Sequence, residues 1–250
     1  MDTKRYLARI GAEFSTPDPA TLRALQRAHL AAVPFENLSI HLGEPVVLSE
    51  DALFDKVVNR RRGGFCYELN GLFAAGLSAL GYRVELLSAR THGDGGYGPP
   101  LDHLALRVEA DGPWLVDVGF GRFSAEPLRL DTDAEQYDPE GVFRVVSGPD
   151  GIDVSMNGVP QYRLDTRAYA LTDFVPTCWW QQTSPDSHFT RSVTCSLPTP
   201  AGRVTLSGNR LITTTGGVRD ERRLSTDAEI RDAYRTYFGI ELDRLPALPG

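Results

Sequence analysis

RRGGFCYELN, residues 61–70, decides how this chain reads. Two glycines bring the backbone to a lone cysteine, and a helix-forming run begins at that cysteine. Glycine permits a tight turn and the close approach of another group. The free N–H groups and dipole of a helix start favour a thiolate. The plain alternative is a core residue, because free cysteines are among the most buried side chains. A core cysteine needs neither the glycines nor the helix start, so the local pattern points to Cys66 as a nucleophile. Arg60, Arg61 and Arg62 just before it form a basic patch suited to a phosphorylated small molecule, with at least one of them facing solvent.

Outward from this stretch the first third reads as helical. Leu22, Leu25, Ala28, His29 and Ala32 recur at three- and four-residue steps and stop at Pro34. SEDALFDKVVNR (49–60) opens with a capping serine and two acids. The helix after Gly64 carries Leu69, Leu72, Phe73, Leu77 and Leu80 on its buried side and ends at Gly81. The period then falls to two. YRVELLSA (82–89), DHLALRVE (102–109) and PWLVDVGF (113–120) read as strands, the last two joined by a turn at ADG (110–112). FRVVS (143–147), GIDVSM (151–156) and PQYRLDT (160–166) continue an antiparallel sheet or small barrel. THGDGGYGPP (91–100) reads as a loop. Residues 168–183 look helical apart from Pro176. Strands follow near 190–197, 203–207, 210–215 and 218–224, with TTTGG (213–217) as a turn. A capping box, Thr226 with Glu229, opens a final helix. The C-terminal LPALPG frays or lies against the surface.

The 250 residues are 41% hydrophobic and 24% charged, the composition of an ordinary folded protein. A net charge of −7 argues against non-specific nucleic-acid binding. The N-terminus lacks the apolar core of a signal peptide, and no run approaches the length of a membrane span. Three widely spaced cysteines form no disulfide framework and suit a reducing compartment. The expected setting is cytoplasmic, with no membrane partner.

A cysteine nucleophile wants a base, and the base wants an orienting group. Of five histidines, His29 lies on a helix face and reads as structural, His41 and His92 fall in loops, and His188 follows SPDS, where it can line a pocket. His103 opens a strand that would hold it rigidly. Asp117 sits in the otherwise apolar WLVDVGF, where a buried carboxylate costs several kcal/mol unless paired. The two belong to adjacent strands of one hairpin, which makes an Asp117–His103 pair natural; the competing reading has Asp117 capping backbone amides near Gly119. Short metal-ligand spacings are absent, so no metal is expected.

RGGFCYELN (62–70), DHLALRV (102–108) and WLVDVGFG (114–121), preceded by PFENL (34–38), resemble the arylamine N-acetyltransferases of prokaryotic type, from about residue 5 to at least 190. The resemblance implies a catalytic triad of Cys66, His103 and Asp117 and a multidomain α+β fold with a cysteine-protease-like Cys-His-Asp arrangement. Its parts would be a helical bundle (1–82) with the nucleophile, an antiparallel β-barrel (83–185) with histidine and aspartate, and an α/β lid (186–250). It implies ping-pong transfer of acetyl from acetyl-CoA, as co-substrate, to small aromatic amines, hydrazines or hydroxylamines, with no metal or bound prosthetic group, in a monomer or homodimer. Phe35, Phe120 and Phe189 would form the substrate pocket, and Gly119, Phe120 and Gly121 would face the pantetheine arm. Glu36 and Arg62 would pair near the site. Cys178 and Cys195 would be structural. Two rivals share the triad: amide synthesis in macrolactam formation, and transglutaminase or protease chemistry.

Overall fold

The computed structural model describes residues 1–248, so the last two residues of LPALPG lie outside the described residues. Helices Thr3–Ile10 and Pro19–Ala32 start at Asp2 and Asp18, whose carboxylates accept from Arg5 N and Thr21 N. The run expected as one helix over 49–60 is α-helical at Glu50–Phe54 and widens to a π-helical turn at Asp55–Asn59. That turn buries Lys56, Val57 and Val58. Three consecutive residues of an α-helix span more than half its circumference and do not share one face.

Cys66–Ala79 departs from the amphipathic reading. Every residue from Cys66 to Ala74 is buried, as are Gly76 and Leu77. A helix covered on all sides must be mostly apolar, and its polar members must find partners. Glu68 and Asn70 are those members.

The helix packs on one face of an antiparallel sheet whose strands run in the order Leu128–Arg129, Pro113–Val116, His103–Glu109, Arg83–Gly93, Val159–Tyr169, Gly151–Met156, Gly141–Gly148 and Gln136–Asp138. Alternation along His103–Glu109 sends Leu104, Leu106 and Val108 toward the helices and Ala105 into the sheet's own interior, with Leu87, Phe123, Phe143 and Tyr162. The first and last strands of this order meet through a side chain. Gln136 accepts from Arg129 N (2.6 Å) and donates to Arg129 O (3.0 Å), supplying the ladder bonds that close a barrel-like sheet.

Two sequence expectations change here. Residues 91–100 are not all loop: the strand runs on to Gly93 and pairs with Gly96–Tyr97 in a projecting hairpin. Strand Val159–Tyr169 reaches into the expected 168–183 helix, which begins only at Val175 after a 3₁₀ turn, Leu171–Phe174. Pro176 therefore stands in a helical first turn, where no N–H is required of it. Phe174 and Cys178 pack into the helical core with Tyr6 and Phe73, not into the barrel.

The rest forms a second sheet in the order Phe35–Glu36, Thr194–Thr199, Gly202–Ser207, Arg210–Thr215, Val218–Arg223, backed by helix Asp227–Phe238 with its Thr226–Glu229 capping box. Of TTTGG, the threonines end strand Arg210–Thr215 and only Gly216 and Gly217 make the hairpin turn. The tail lies against the surface as far as Ala247, whose N–H donates to His41 O at 2.9 Å. The architecture is α+β. No helix among the described residues is long and apolar enough to cross a membrane.

Candidate active site

PFENL ties three regions to the cysteine. Phe35 bridges to Gly64, and Phe35–Glu36 pairs with Ser196 and Cys195. Asn37 holds the segment after Phe189, donating to Phe189 O (2.9 Å) and Ser192 O (2.6 Å) and accepting from Thr194 N (2.8 Å). His41, at the last turn of helix Leu38–Leu42, contacts Phe189 O at 2.9 Å. Buried Glu36 meets Arg62 Nε at 3.0 Å, and buried Lys56 meets Glu68 at 2.7 Å. Burial pushes the Glu36 carboxyl up, but Lys56 and Arg62 outweigh it and hold the group below its usual range. Burial wins at Glu68 and raises it.

The three arginines have different surroundings. Arg62 is buried against Glu36, Arg60 is half exposed beside Asp55 (3.1 Å), and Arg61 faces solvent. The glycines answer a steric demand. A Cβ on Gly63 would lie 1.9 Å from Pro34 O. Glu68 then accepts the Phe65 N–H (3.2 Å) and fixes the first turn of the cysteine helix.

The hairpin turn at Asp111–Gly112 brings His103 and Asp117 to one end of the sheet. Asp117 is the first residue beyond strand Pro113–Val116, not a strand interior position. Its Oδ2 meets His103 Nε2 at 2.6 Å, with both side chains buried. Its Oδ1 accepts from Gly119 N (2.9 Å) and Asn70 Nδ2 (2.8 Å). The two competing readings of Asp117 thus describe one side chain, which orients the imidazole with one oxygen and caps a backbone amide with the other.

Asn70 escaped the sequence reading. It lies one helical turn past Cys66, donates also to Leu104 O (2.6 Å) and accepts from Val118 N (2.9 Å), so it joins the cysteine helix to both strands of the hairpin. Nothing local in the sequence marks it, because its burial comes from the helix being covered on every side. Tyr162 escaped too; its ring centroid lies 5.4 Å from that of His103, and the Phe120 ring centroid lies 5.1 Å from it, nearly perpendicular. Gly119 must be glycine, since a Cβ there would come within 2.7 Å of Cys66 Cα.

Cys66, His103, Phe35, Phe120, Phe189 and Gly119 line one cavity of about 350 Å³, with Trp180, His188 and Arg191 also on its wall. All three expected phenylalanines are brought together there, along with two of the three expected pantetheine contacts. Gly121 instead borders a larger cavity behind Phe120. Burial pushes the Cys66 thiol well above the ordinary cysteine range, and the Asp117 and Asp102 carboxylates push the same way, while the Leu104 amide opposes them. Burial thus opposes what the helix start favours, and the base that shares the cavity with this thiol is His103. Asp102 is held by Thr91 and by Gln181 Nε2 (2.9 Å). Cys178 and Cys195 are free, buried thiols outside this cavity.

A buried thiol, an imidazole fixed by a carboxylate and an aromatic-walled cleft thus meet in one place. An N-acetyltransferase family model matches residues 18–246. The arylamine N-acetyltransferase of Mycolicibacterium smegmatis is 38% identical over 258 aligned residues, covering 98% of this chain and 94% of its own. A pineal gland isozyme of Gallus gallus is 34% identical, covering 98% and 96%. The solved structure of the Mycobacterium marinum arylamine N-acetyltransferase in complex with CoA is similar with a TM-score of 0.87 at 35% identity, over 96% of this chain and 93% of that one. The Salmonella typhimurium enzyme gives 0.90 at 28% identity, over 99% and 94%. Sequence and fold agree along almost the whole length: the chain belongs to the arylamine N-acetyltransferase family of enzymes.

Proposed function

We propose that this enzyme carries acetyl from acetyl-CoA to the nitrogen of arylamines, arylhydrazines or arylhydroxylamines through an acetyl-Cys66 intermediate, by a ping-pong route. The observation that carries this reading is a helix-leading thiol sharing one cavity with an imidazole whose Nε2 is engaged by Asp117 at 2.6 Å. Nδ1 is then the nitrogen left to take the Cys66 proton. The thiolate attacks the acetyl carbonyl, the oxyanion is met by the free Cys66 N–H at the helix start, and collapse of the tetrahedral adduct breaks the C–S bond to CoA, whose sulfur takes the proton from the His103 imidazolium as it leaves. Asp117 stabilises the imidazolium that forms. In the second half-reaction the neutral amine attacks the thioester, and His103 accepts its proton. Phe35, Phe120 and Phe189 suit a flat, weakly basic ring. A homologue crystallised with CoA supports the choice of donor. Three free cysteines fit a cytoplasmic setting.

Intact-mass measurement tests the proposal. Acetyl-CoA without acceptor should add one acetyl group, lost when an arylamine is supplied. Acylation that persists in Cys66→Ala, or a label that maps to Cys178, defeats it. Initial rates over a grid of both substrates should give parallel double-reciprocal lines; intersecting lines with no CoA release in the absence of amine would mean direct transfer.

A further inference from the structure

The Cys66 helix reaches the His103 strand through three side chains, and only two of them belong to the site already described. Cys66 meets the Leu104 amide, and Asn70 donates to Leu104 O at 2.6 Å, just after His103. Tyr67 works on the other side of the imidazole. Its ring is fully buried and stands edge-on to Phe65. Its hydroxyl proton is shared between Leu101 O at 2.9 Å and Asp102 O at 3.0 Å. Burial pushes the Tyr67 pKa up, so the hydroxyl stays a donor. Leu101 takes φ +63°. A leucine is strained in that left-handed region, where its Cβ crowds the following carbonyl oxygen. Such a conformation persists only where the surroundings hold it. The other holds are Ser88 Oγ, which accepts from Leu101 N at 2.9 Å, and Thr91 with Gln181, which fix the Asp102 side chain. Tyr67 is not on the wall of the Cys66 cavity.

A backbone rotation at Leu101 is carried over two residues to His103, and a misplacement of about 1 Å in a catalytic group can cost about 10²-fold in rate. We propose that Tyr67 is a positioning residue for the reaction: its hydroxyl holds the left-handed turn at Leu101 and so aims the His103 imidazole at Cys66, its own neighbour on the helix. This rests on the acetyl-cysteine reading above, in which His103 is the base. One helix then grips the base strand on both sides, Tyr67 before His103 and Asn70 after it. The ring alone would fill the core as well; the hydroxyl is what reaches the turn.

Tyr67→Phe keeps the ring and removes the hydroxyl. Three quantities would be read per folded molecule: the rate of Cys66 acetylation by 4-nitrophenyl acetate, the affinity for CoA, and the pH profile of Cys66 alkylation by iodoacetamide. The charged groups around the thiol and imidazole, Asp102, Asp117, Asp186, His188 and Arg191, are the same in both proteins. Acetylation should slow about tenfold or more. CoA affinity should change by less than about twofold, because no binding contact is lost. Alkylation should move to higher pH, since a misaimed imidazole takes the Cys66 proton less readily. Adding Leu101→Gly should recover most of the rate, because glycine holds φ +63° unaided. A lower urea midpoint with unchanged acetylation and alkylation would make Tyr67 purely structural and overturn the proposal. So would a double variant as slow as Tyr67→Phe. If Tyr67→Phe does not fold, the double variant decides: regained folding and rate support the turn, and a second failure in either overturns it. A wild-type protein that is alkylated at Cys66 but never acetylated there brings down the acetyl-cysteine reading alone, and the alkylation profile still tests Tyr67.

Discussion

Asp117 holds three partners with two oxygens, and that arrangement separates orientation from folding. Asp117→Asn keeps the shape and leaves a group that can still hydrogen-bond, but removes the charge facing His103 Nε2. A comparable loss in a serine-protease triad costs about 10⁴-fold in kcat. At least about a 10²-fold fall is expected here with an unchanged circular dichroism spectrum, and near-normal turnover would leave Asp117 as a structural cap. Asn70→Ala should behave otherwise. It strands Val118 N in a dry interior and takes one donor each from Leu104 O and from the Asp117 oxygen that Gly119 N still caps, so about 1–3 kcal/mol of stability should go as well as activity; urea unfolding reads that directly. Asp117 was legible because a carboxylate among Trp, Leu and Val has few reasons to be there. Asn70 was not, because one amide in a helix usually faces water and the sequence does not show which helix is covered on every side.

The connection from Asn59 to Cys66 works as an element although it has no regular structure. Arg9, near the end of the first helix, is anchored beside it by bonds to Val57 O (2.9 Å) and Ala32 O (2.7 Å) and reaches into it with longer contacts to Arg61 O and Arg62 O (3.5 Å each). Glu36 holds it from a second side. No local pattern reveals such contacts: the arginines 60–62 look alike in sequence and take different fates because only position 62 meets Glu36. The glycines were legible as a tight approach, though not what they approach. Gly63→Ala drives a methyl into the Pro34 carbonyl and should cost more than about 2 kcal/mol or prevent folding. Gly216→Ala, in an open turn at φ +56°, meets nothing and should cost only the left-handed strain, about 1 kcal/mol. Thermal melts of the pair give the comparison; equal losses would mean the Gly63 segment yields.

For the whole molecule, the α+β plan and most hairpins were readable because alternation and turn residues act over a few positions. The two-residue strand at Phe35 was not, since its partner lies far along the chain. Nor was the closing of the barrel by the Gln136 side chain, which ordinary strand patterns do not encode. Buried His29 governs how the assembled core meets acid. Its Nδ1 contacts the Tyr6 hydroxyl at 2.8 Å, and burial drops its pKa to about 3, from an ordinary 6.5. Between those values the unfolded chain binds the proton and the folded one does not. Stability from this site is therefore complete above pH 6.5 and falls by about 1.4 kcal/mol per unit as pH drops toward 3. His29→Gln should flatten the decline in urea midpoint between pH 7 and 5, whatever its stability at neutrality; an unchanged slope would assign the acid sensitivity to other groups. The bond from Asn37 to Phe189 crosses 152 positions. A ribosome adding about 5–20 residues per second reaches the second end roughly 8–30 s after the first. During that interval Cys66 has already been added, but Phe189 has not yet arrived to wall the cleft. The Cys66 cavity gains its Phe189 wall late in the making of each new chain, long after the cysteine itself has been added.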